Sequence, residues 1–304
     1  MDIICRTLIL FQRVGALERK FTTKDMSQTS LVLAGSDITY ISDNIKECTN
    51  LKILEILHTE ITSLPSSIGE LKSLEELTIF NNSKLVSLPE ELFNCSKLIK
   101  LNLSNNGLTS LSGRIGRLKN LEQLNLNSNN LKSLPAELCE CLKLQELNIY
   151  SNELTSLPDK IGKLEKLKLL NTESNKLVEL PISIGNCKDM KNLNLRKNYL
   201  IDLPEEIGDL EKLISLNISS NQFKQVSAAI GKCMQLKELD LSYNYLETLD
   251  AKIGDLEKLT CLNLSHNQFN YAPDAVRKCL LLRTLDLSNN KLDTFDAKKE
   301  IWYV

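Results

Sequence analysis

Cysteine and histidine are the residue types that could carry metal or nucleophilic chemistry, and this chain has nine cysteines and two histidines. Structural zinc sites are usually signalled by paired Cys or His ligands at short spacing. Cys139 and Cys141 form a single C-x-C, with no second pair and no histidine nearby. The phosphate-binding, G-x-S-x-G and H-E-x-x-H motifs of common enzyme classes do not occur. We therefore expect no metal site, no cofactor and no enzymatic activity.

The elements that must position these residues come from an internal repeat of 23 residues. Its pattern is L-x-x-L-x-L-x-x-N-x-L-x-x-L-P-x-x-I-G-x-L-x-x, and positions below are numbered from its first Leu. Twelve repeats start at Gln28, Leu51, Leu74, Leu98, Leu121, Leu144, Leu167, Met190, Leu213, Leu236, Leu259 and Leu282. One repeat cannot bury its own apolar face, so successive repeats must stack to form a continuous core.

Three features of the repeat have a readable structural role. The Leu-x-Leu alternation predicts a short strand with one buried face, and strands of successive repeats would stack in parallel about 4.8 Å apart. Position nine is an Asn in ten repeats, and its amide would pair buried backbone groups of the following loop. All seven prolines occupy the same place in the repeat, six of them after a Leu and Pro273 after Ala272, and proline there fixes φ without removing a ladder hydrogen bond.

Six cysteines share one position of the repeat and alternate there with leucines. They are Cys48, Cys95, Cys141, Cys187, Cys233 and Cys279, so the true sequence period is 46 residues. Neighbouring members would lie about 10 Å apart, beyond the roughly 7 Å that a disulfide spans. We interpret them as small apolar core residues, and reduced thiols fit the cytosol. Cys261 is expected in a strand and is the best candidate for a reactive thiol.

The two ends of the chain depart from the repeat. Residues 1–27 carry apolar residues at helical spacing, which predicts an amphipathic helix that caps the solenoid of residues 28–304. A partner-binding helix is the alternative interpretation. Residues 301–304 would cap the other end. The net charge of −2 and the interspersed charges indicate neither nucleic acid nor a membrane surface as partner, and no apolar stretch approaches a membrane span. A cytoplasmic protein is the expectation.

A binding surface is expected on the concave face of the stacked strands, where positions three, five, seven and eight would project. Aromatic residues and Arg dominate interface energetics. The predicted partner-binding residues are Tyr150, Glu173, Arg196, Lys197, Tyr199, Tyr243, Tyr245 and His266. A second, apolar patch is Ile53, Leu57, His58 and Phe80. The alternative is that these are ordinary, partly exposed strand residues. The Asn column at position five has a structural alternative, amides hydrogen-bonding to one another.

The L-P-x-x-I-G-x-L signature, seen at Leu64–Leu71, Leu157–Leu164 and Leu203–Leu210, resembles the Ras-group leucine-rich repeats of Ras-suppressor, Ras-scaffold and plant intracellular Ras-group proteins. The resemblance covers about residues 28–296 and implies an α/β solenoid, a horseshoe with a parallel concave sheet and an irregular or short-helical convex side. It also implies a signalling adaptor whose partner is a small GTPase or a phosphatase.

Some features depart from that resemblance. Ser112, Ser227 and Asp250 replace the proline, and no phosphatase-docking [Lys/Arg]-x-Val-x-Phe segment occurs. Two alternatives therefore stand beside the adaptor: a receptor-like or immune-type module that recognises a ligand, and a purely structural repeat protein. Thr172, a polar residue at a core Leu position, has no explanation at this level.

Overall fold

A computed structural model of the protein describes residues 17–19 and 27–292. The chain divides into two compact units, residues 1–153 and residues 154–304. A helix was predicted over residues 1–27, but within it Leu17–Arg19 is a strand (β1). Residues 1–16 and 20–26 lie outside the described residues, as do residues 293–304 with the predicted C-terminal cap. Among the described residues, no helix is both long and apolar enough to cross a bilayer.

The first unit is a parallel sheet backed by short 3-10 helices. Its strands are β2 (Ser30–Ala34), β4 (Ile53–Leu57), β5 (Glu76–Phe80), β6 (Lys100–Asn102), β7 (Gln123–Asn125) and β8 (Glu146–Asn148), paired in that order. A separate strand, β3 (Ile38–Ile41), pairs with β1. The 3-10 helices are η1 (Asp43–Glu47), η2 (Ser66–Glu70), η3 (Glu90–Asn94), η4 (Gly113–Arg117) and η5 (Ala136–Glu140).

The second unit repeats this architecture. Its parallel strands are β9 (Leu169–Asn171), β10 (Asn192–Asn194), β11 (Ser215–Asn217), β12 (Glu238–Asp240), β13 (Cys261–Asn263) and β14 (Thr284–Asp286). Its 3-10 helices are η6 (Ile161–Lys163), η7 (Ile182–Asn186), η8 (Glu205–Asp209), η9 (Ala228–Lys232), η10 (Ala251–Asp255) and η11 (Asp274–Lys278). The predicted solenoid class, with parallel strands and short-helical connections, is confirmed.

The position-nine asparagines pair buried backbone groups, as predicted, and in addition they join neighbouring repeats. Asn221 is buried, and its Nδ2 donates to the carbonyls of Leu195, Ile218 and Ser219 at 3.0 to 3.2 Å. Its Oδ1 accepts from the backbone N–H of Leu200 in the preceding repeat at 3.0 Å. One side chain therefore contacts four backbone groups. The three carbonyls also accept from Asn198 Nδ2, Asn244 Nδ2 and the Lys197 N–H, whereas the Leu200 N–H is paired through Asn221.

The residues that replace proline act as N-terminal caps of the 3-10 helices. Apart from η6, which begins at Ile161, the 3-10 helices begin directly after the proline position, where Pro204, for example, makes no side-chain cap bond. Ser112 Oγ accepts from the N–H of Arg114, Ser227 Oγ from Ala229 and Asp250 Oδ1 from Lys252. Proline presets φ at this position, whereas Ser and Asp satisfy a free helix N–H instead.

The six cysteines that share one repeat position, here called the cysteine ladder, lie in the core, as predicted. Cys95, Cys141 and Cys233 are fully buried, and the Sγ of Cys233 donates to the carbonyl of Ile207 in the preceding repeat at 3.4 Å. Burial raises the pKa of each of these three thiols to about 11. No disulfide and no metal-binding cluster occurs among the described residues. The thiols act as small core groups that also donate a weak hydrogen bond.

Thr172 is also accounted for by the structure. Its side chain is fully buried, and its Oγ1 donates to the carbonyl of Asn194 at 3.2 Å, beside the Thr172 N–H bond to the same oxygen. The hydroxyl thus shares an acceptor that the sheet already supplies, which removes most of the cost of burying it.

Candidate functional site

The solvent-facing side of the second unit's sheet, here called the open face, carries positions three, five and seven of each repeat. Position-five side chains bond to their own repeat: Oδ1 of Asn194 accepts from the N–H of Arg196 at 3.1 Å, and Oδ1 of Asp240 accepts from Ser242 at 3.0 Å. These bonds give the position-five column a structural role through the backbone of the same repeat, whereas the alternative from the sequence was bonding between amides. The side chain closes a local turn two residues on.

Position seven changes in character along the second unit. Glu173 and Arg196 form a loose ion pair, with Arg196 Nε 3.9 Å from Glu173 Oε1, and Glu173 Oε2 also accepts from Asn194 Nδ2. The next three repeats have Ser219, Ser242 and Ser265 there, all nearly inaccessible to solvent. Each serine Oγ donates to the position-five oxygen of its own repeat at 2.6 to 2.7 Å. The expectation that position seven projects from the face is therefore wrong for these serines.

Position eight adopts a left-handed backbone conformation in every described repeat from the second onward. Its residues, with φ between 52° and 58°, are His58, Asn81, Asn105, Ser128, Ser151, Ser174, Lys197, Ser220, Tyr243, His266 and Asn289. Asn and His are enriched in this conformation, whereas a bulky residue such as Tyr is unusual there. The turn directs these side chains to the edge at which the strands end.

Four aromatic side chains lie along this edge, and we call Tyr199, Tyr243, Tyr245 and His266 the aromatic rim. Tyr199, Tyr243 and Tyr245 are each about half exposed, at 51%, 53% and 50%. The rings of Tyr243 and His266 stack with centroids 3.9 Å apart, and Asn289 Nδ2 lies 3.1 Å from His266 Nε2. Tyr199 and Tyr245 occupy position ten, where the alternating repeats have Gln222 and Gln268.

Three carboxylates lie on the open face. Glu238, at position three of its repeat, is exposed and begins β12. Asp240 and Asp286, at position five of their repeats, end β12 and β14. Between them Cys261 is partly exposed; burial, followed by Glu238 and Asp240, raises the pKa of its thiol. The prediction that Cys261 is the reactive thiol is therefore weakened, because less thiolate forms at neutral pH.

Comparison with known sequences and structures identifies the repeat. A leucine-rich-repeat region model matches residues 32–153, and two further leucine-rich-repeat models match residues 215–269 and residues 143–164 and 281–298. A leucine-rich-repeat protein of Leptospira interrogans has a similar structure at 30% sequence identity and a TM-score of 0.73. The alignment covers 88% of this chain and 80% of that one. The chain belongs to the leucine-rich-repeat family.

Other leucine-rich-repeat structures are also similar. The plant peptide hormone receptor RGFR1, solved in complex with RGF2, is 29% identical with a TM-score of 0.69, over 86% of this chain and 46% of the receptor chain. An internalin of Listeria monocytogenes is 21% identical with a TM-score of 0.67, over 92% of this chain and 86% of that one, and shows the fold alone. A comparison with curated proteins finds no significant match.

The leucine-rich-repeat fold is that of a protein-interaction or ligand-binding module. Seven of the eight predicted partner-binding residues lie in the second unit: the pair Glu173 and Arg196, Lys197, and the four residues of the aromatic rim. Tyr150 lies in the first unit, just after β8, and its carbonyl accepts from the N–H of Ser128.

The second predicted patch lies in the first unit of the leucine-rich-repeat chain. His58 contacts Phe80 edge-on, with ring centroids 5.4 Å apart, and Asn81 Nδ2 lies 2.7 Å from His58 Nδ1. Leu57 is partly buried, and Ile53 is 36% exposed. Two of its four residues, Leu57 and Phe80, are only partly exposed.

Glu238 is the residue of the open face that the sequence did not single out. Position three varies freely from repeat to repeat, so a single Glu gave no signal. The detectable signal was the change from Asn to Asp at position five of the same repeat, Asp240, beside Tyr243 and Tyr245. Glu238, Asp240, Tyr243 and Tyr245 all fall in one repeat.

Proposed function

We propose that this leucine-rich-repeat chain is a non-catalytic scaffold or adaptor that binds another protein through the open face and aromatic rim of its second unit. The observation that carries the proposal is the half exposure of Tyr199, Tyr243 and Tyr245 along one edge. The fold does not need these rings, since Gln and Ser occupy the same positions in neighbouring repeats.

Tyrosine is suited to such a surface. Each ring supplies a large apolar contact area with a polar hydroxyl at its tip, and Tyr and Arg are enriched among residues that dominate binding energy. Arg196 and Lys197 extend the rim with two positive charges, and Arg196 is only loosely held by Glu173. A partner that covers the rim would bury apolar area that the free protein leaves in water.

For the partner and the compartment, the proposal follows the L-P-x-x-I-G-x-L resemblance: intracellular signalling, in the cytoplasm, with a Ras-like small GTPase or a phosphatase. The buried thiols of the cysteine ladder support a reducing compartment, because none of the described cysteines needs a disulfide for its place in the core.

The test is capture of purified Ras-like GTPases, loaded with GDP or with a GTP analogue, on the immobilised full chain. Tyr199→Gln with Tyr245→Gln is the matched variant, because Gln fills position ten in the alternating repeats. We expect this double variant to lose nucleotide-dependent capture, whereas Lys232→Ala in η9 retains it. If no GTPase is captured in either nucleotide state, the proposed GTPase partner is wrong.

A second candidate is recognition of a peptide ligand, and the similarity to a peptide hormone receptor in complex with RGF2 favours it. A peptide ligand would bind without nucleotide dependence and would compete with no GTPase. Binding of short peptides that survives the removal of every GTPase and phosphatase from the assay would support this candidate over the adaptor.

A further inference from the structure

On the open face of the second unit, a row of short, nearly inaccessible serines lies between the exposed tyrosines and the position-five side chains, and we call this row the trough. Its floor is formed by Ser219, Ser242 and Ser265, whose hydroxyls are held down against position five. At one end the floor stops at the long side chain of Arg196. The trough therefore runs across the strands, from β11 towards β14, and the aromatic rim forms one of its sides.

The other side of the trough is acidic. The strand register places Glu238 beside Cys261, and places Asp240, Asn263 and Asp286 in one row. No ion pair within the described residues involves Glu238, Asp240 or Asp286. Hydrogen bonds from Ser288 lower the pKa of Asp286, so this carboxylate is charged at neutral pH. A positive group in the trough would meet these charges without displacing a resident partner.

The two aspartates carry charge that the fold does not require. Oδ1 of Asp240 accepts from the N–H and Oγ of Ser242, and Oδ1 of Asn217 and Asn263 accepts the same two bonds in the flanking repeats. Asn thus does the structural work as well as Asp. The extra negative charge is free to act on whatever lies in the trough.

We propose that this trough binds an extended, basic segment of a partner protein, with its Arg or Lys side chains on Asp240, Asp286 and Glu238 and its backbone against Tyr243 and Tyr245. The proposal rests on the proposed function and specifies the chemistry of the partner. A guanidinium or ammonium group pairs with the carboxylates, and the exposed tyrosine rings offer the segment's backbone an apolar surface with a polar tip.

The spacing of the aspartates specifies the segment further. Asp240 and Asp286 are two strands apart, or about 10 Å. A segment that crosses the strands cannot add to the sheet as another strand, so its backbone is free to adopt the polyproline II conformation. In that conformation residues three apart face the same side and lie about 9.3 Å apart. Two basic residues separated by two others therefore match the two aspartates.

The experiment measures binding of fluorescein-labelled ten-residue peptides to the full chain by fluorescence anisotropy. The probe has two arginines separated by two residues, in a background of Pro, Ser and Gly. Comparison peptides place the arginines next to each other, or replace them with Gln or Glu. We expect the probe to bind more tightly than all three, and its Kd to rise with salt because the contacts are ionic.

The matched variants keep the local hydrogen bonds and change only the charge. With Asp240→Asn and Asp286→Asn together we expect the Kd of the probe to rise about tenfold, and with Asn263→Asp to fall about threefold. Asp209→Asn, which removes one negative charge from η8, should leave it within about twofold of the wild type. Tyr243→Ser, the residue type at the same position in the preceding repeat, should weaken binding about fivefold.

Two results overturn the inference. One is equal binding of the Gln peptide and the Arg probe; the other is an unchanged Kd in the double Asp variant. If the probe fails in either way while Tyr199→Gln with Tyr245→Gln still abolishes protein capture, the basic-segment inference is wrong and the proposed function stands. If capture is also insensitive to those tyrosines, both are wrong.

Discussion

The imidazole ring of His266 stacks on the phenol ring of Tyr243, with centroids 3.9 Å apart and planes within 13° of parallel. The two residues occupy position eight of adjacent repeats, and both have φ of 53°. Stacking of the strands thus places consecutive position-eight side chains over one another at the strand ends. The rim is a product of this register: two flat rings fit side by side where most repeats carry Ser or Asn.

The stack has a spectroscopic consequence. The ring protons of His266 should be shifted upfield in the NMR spectrum by the tyrosine ring current, and Tyr243→Ser should return them towards random-coil positions. His58, the chain's other histidine, contacts Phe80 edge-on and serves as the internal control, because Tyr243→Ser should leave its signals unchanged. We expect the loss of stability to be small, about 0.5 kcal/mol, since the pair is exposed.

Removing one position-nine asparagine should be costly. Asn221→Ala leaves the Leu200 N–H without its side-chain partner inside the core and removes one of the two amides that donate to the Leu195 carbonyl. We expect a loss of about 3 kcal/mol in the free energy of unfolding, measured by urea denaturation. Gln222→Ala, at the next residue along the chain, is the control and should change stability by less than about 0.5 kcal/mol. Equal effects of the two substitutions would contradict the assigned role of Asn221.

The buried thiols should make stability fall at alkaline pH. Burial raises the pKa of Cys233 from 9.0 to about 11, so between these values the unfolded chain loses a proton that the folded chain retains. Stability from this group is complete below pH 9 and declines as pH rises to about 11. At pH 10 the loss is about 1.4 kcal/mol for each such thiol.

Cys233→Ala provides the measurement for that pH dependence. The variant is less stable than the wild type at pH 8, because it leaves a cavity, but the difference between the two proteins should shrink by about 1.4 kcal/mol at pH 10. Paired urea titrations at both pH values give the four free energies. A difference that stays constant with pH would show that the thiol titrates alike in the folded and unfolded chains.

Cys261 should react slowly for an exposed thiol and faster when its acidic neighbour is neutralised. Among the described cysteines it is the only one that is not classed as buried, so iodoacetamide should label it first in the folded protein. Glu238 raises its pKa, and Glu238→Gln should therefore increase the rate of alkylation at pH 8. Peptide mass spectrometry measures the rate; Glu257→Gln, before β13, is the charge control. A rate unaffected by Glu238→Gln would exclude this coupling.

Much of the fold could be predicted because the repeat fixes local geometry many times over. The Leu columns, the inward Asn at position nine and the cysteine ladder are all buried where the period placed them. Each depends on a residue type that has one good environment: Leu and Cys in a core, and an amide among unpaired backbone groups. Outside the repeat the prediction was wrong at Leu17, which was expected in a helix and lies in a strand.

The side chains of the candidate site could be named from the sequence, but the shape of the surface that they form could not. Alternation along a strand suggested that Ser219, Ser242 and Ser265 project, yet each folds back onto position five and leaves a trough. The competing hydrogen bond within the repeat won, because a short hydroxyl can reach the oxygen two residues away. The tyrosines were found from the sequence alone because aromatic residues stand out in a column of Ser and Gln.

By itself, then, the sequence determined the repeat, the parallel strands, the identity of the core residues and the side chains available for binding. Only the tertiary structure decided that Tyr243 and His266 stack, that the serines form a floor and that Asp240 and Asp286 line one side of it. The physical reason is the difference between local interactions within one repeat and contacts between repeats. Periodicity reports what each residue requires of its own repeat, whereas a surface is made by residues of different repeats, and their contacts depend on register, backbone conformation and the direction of each side chain.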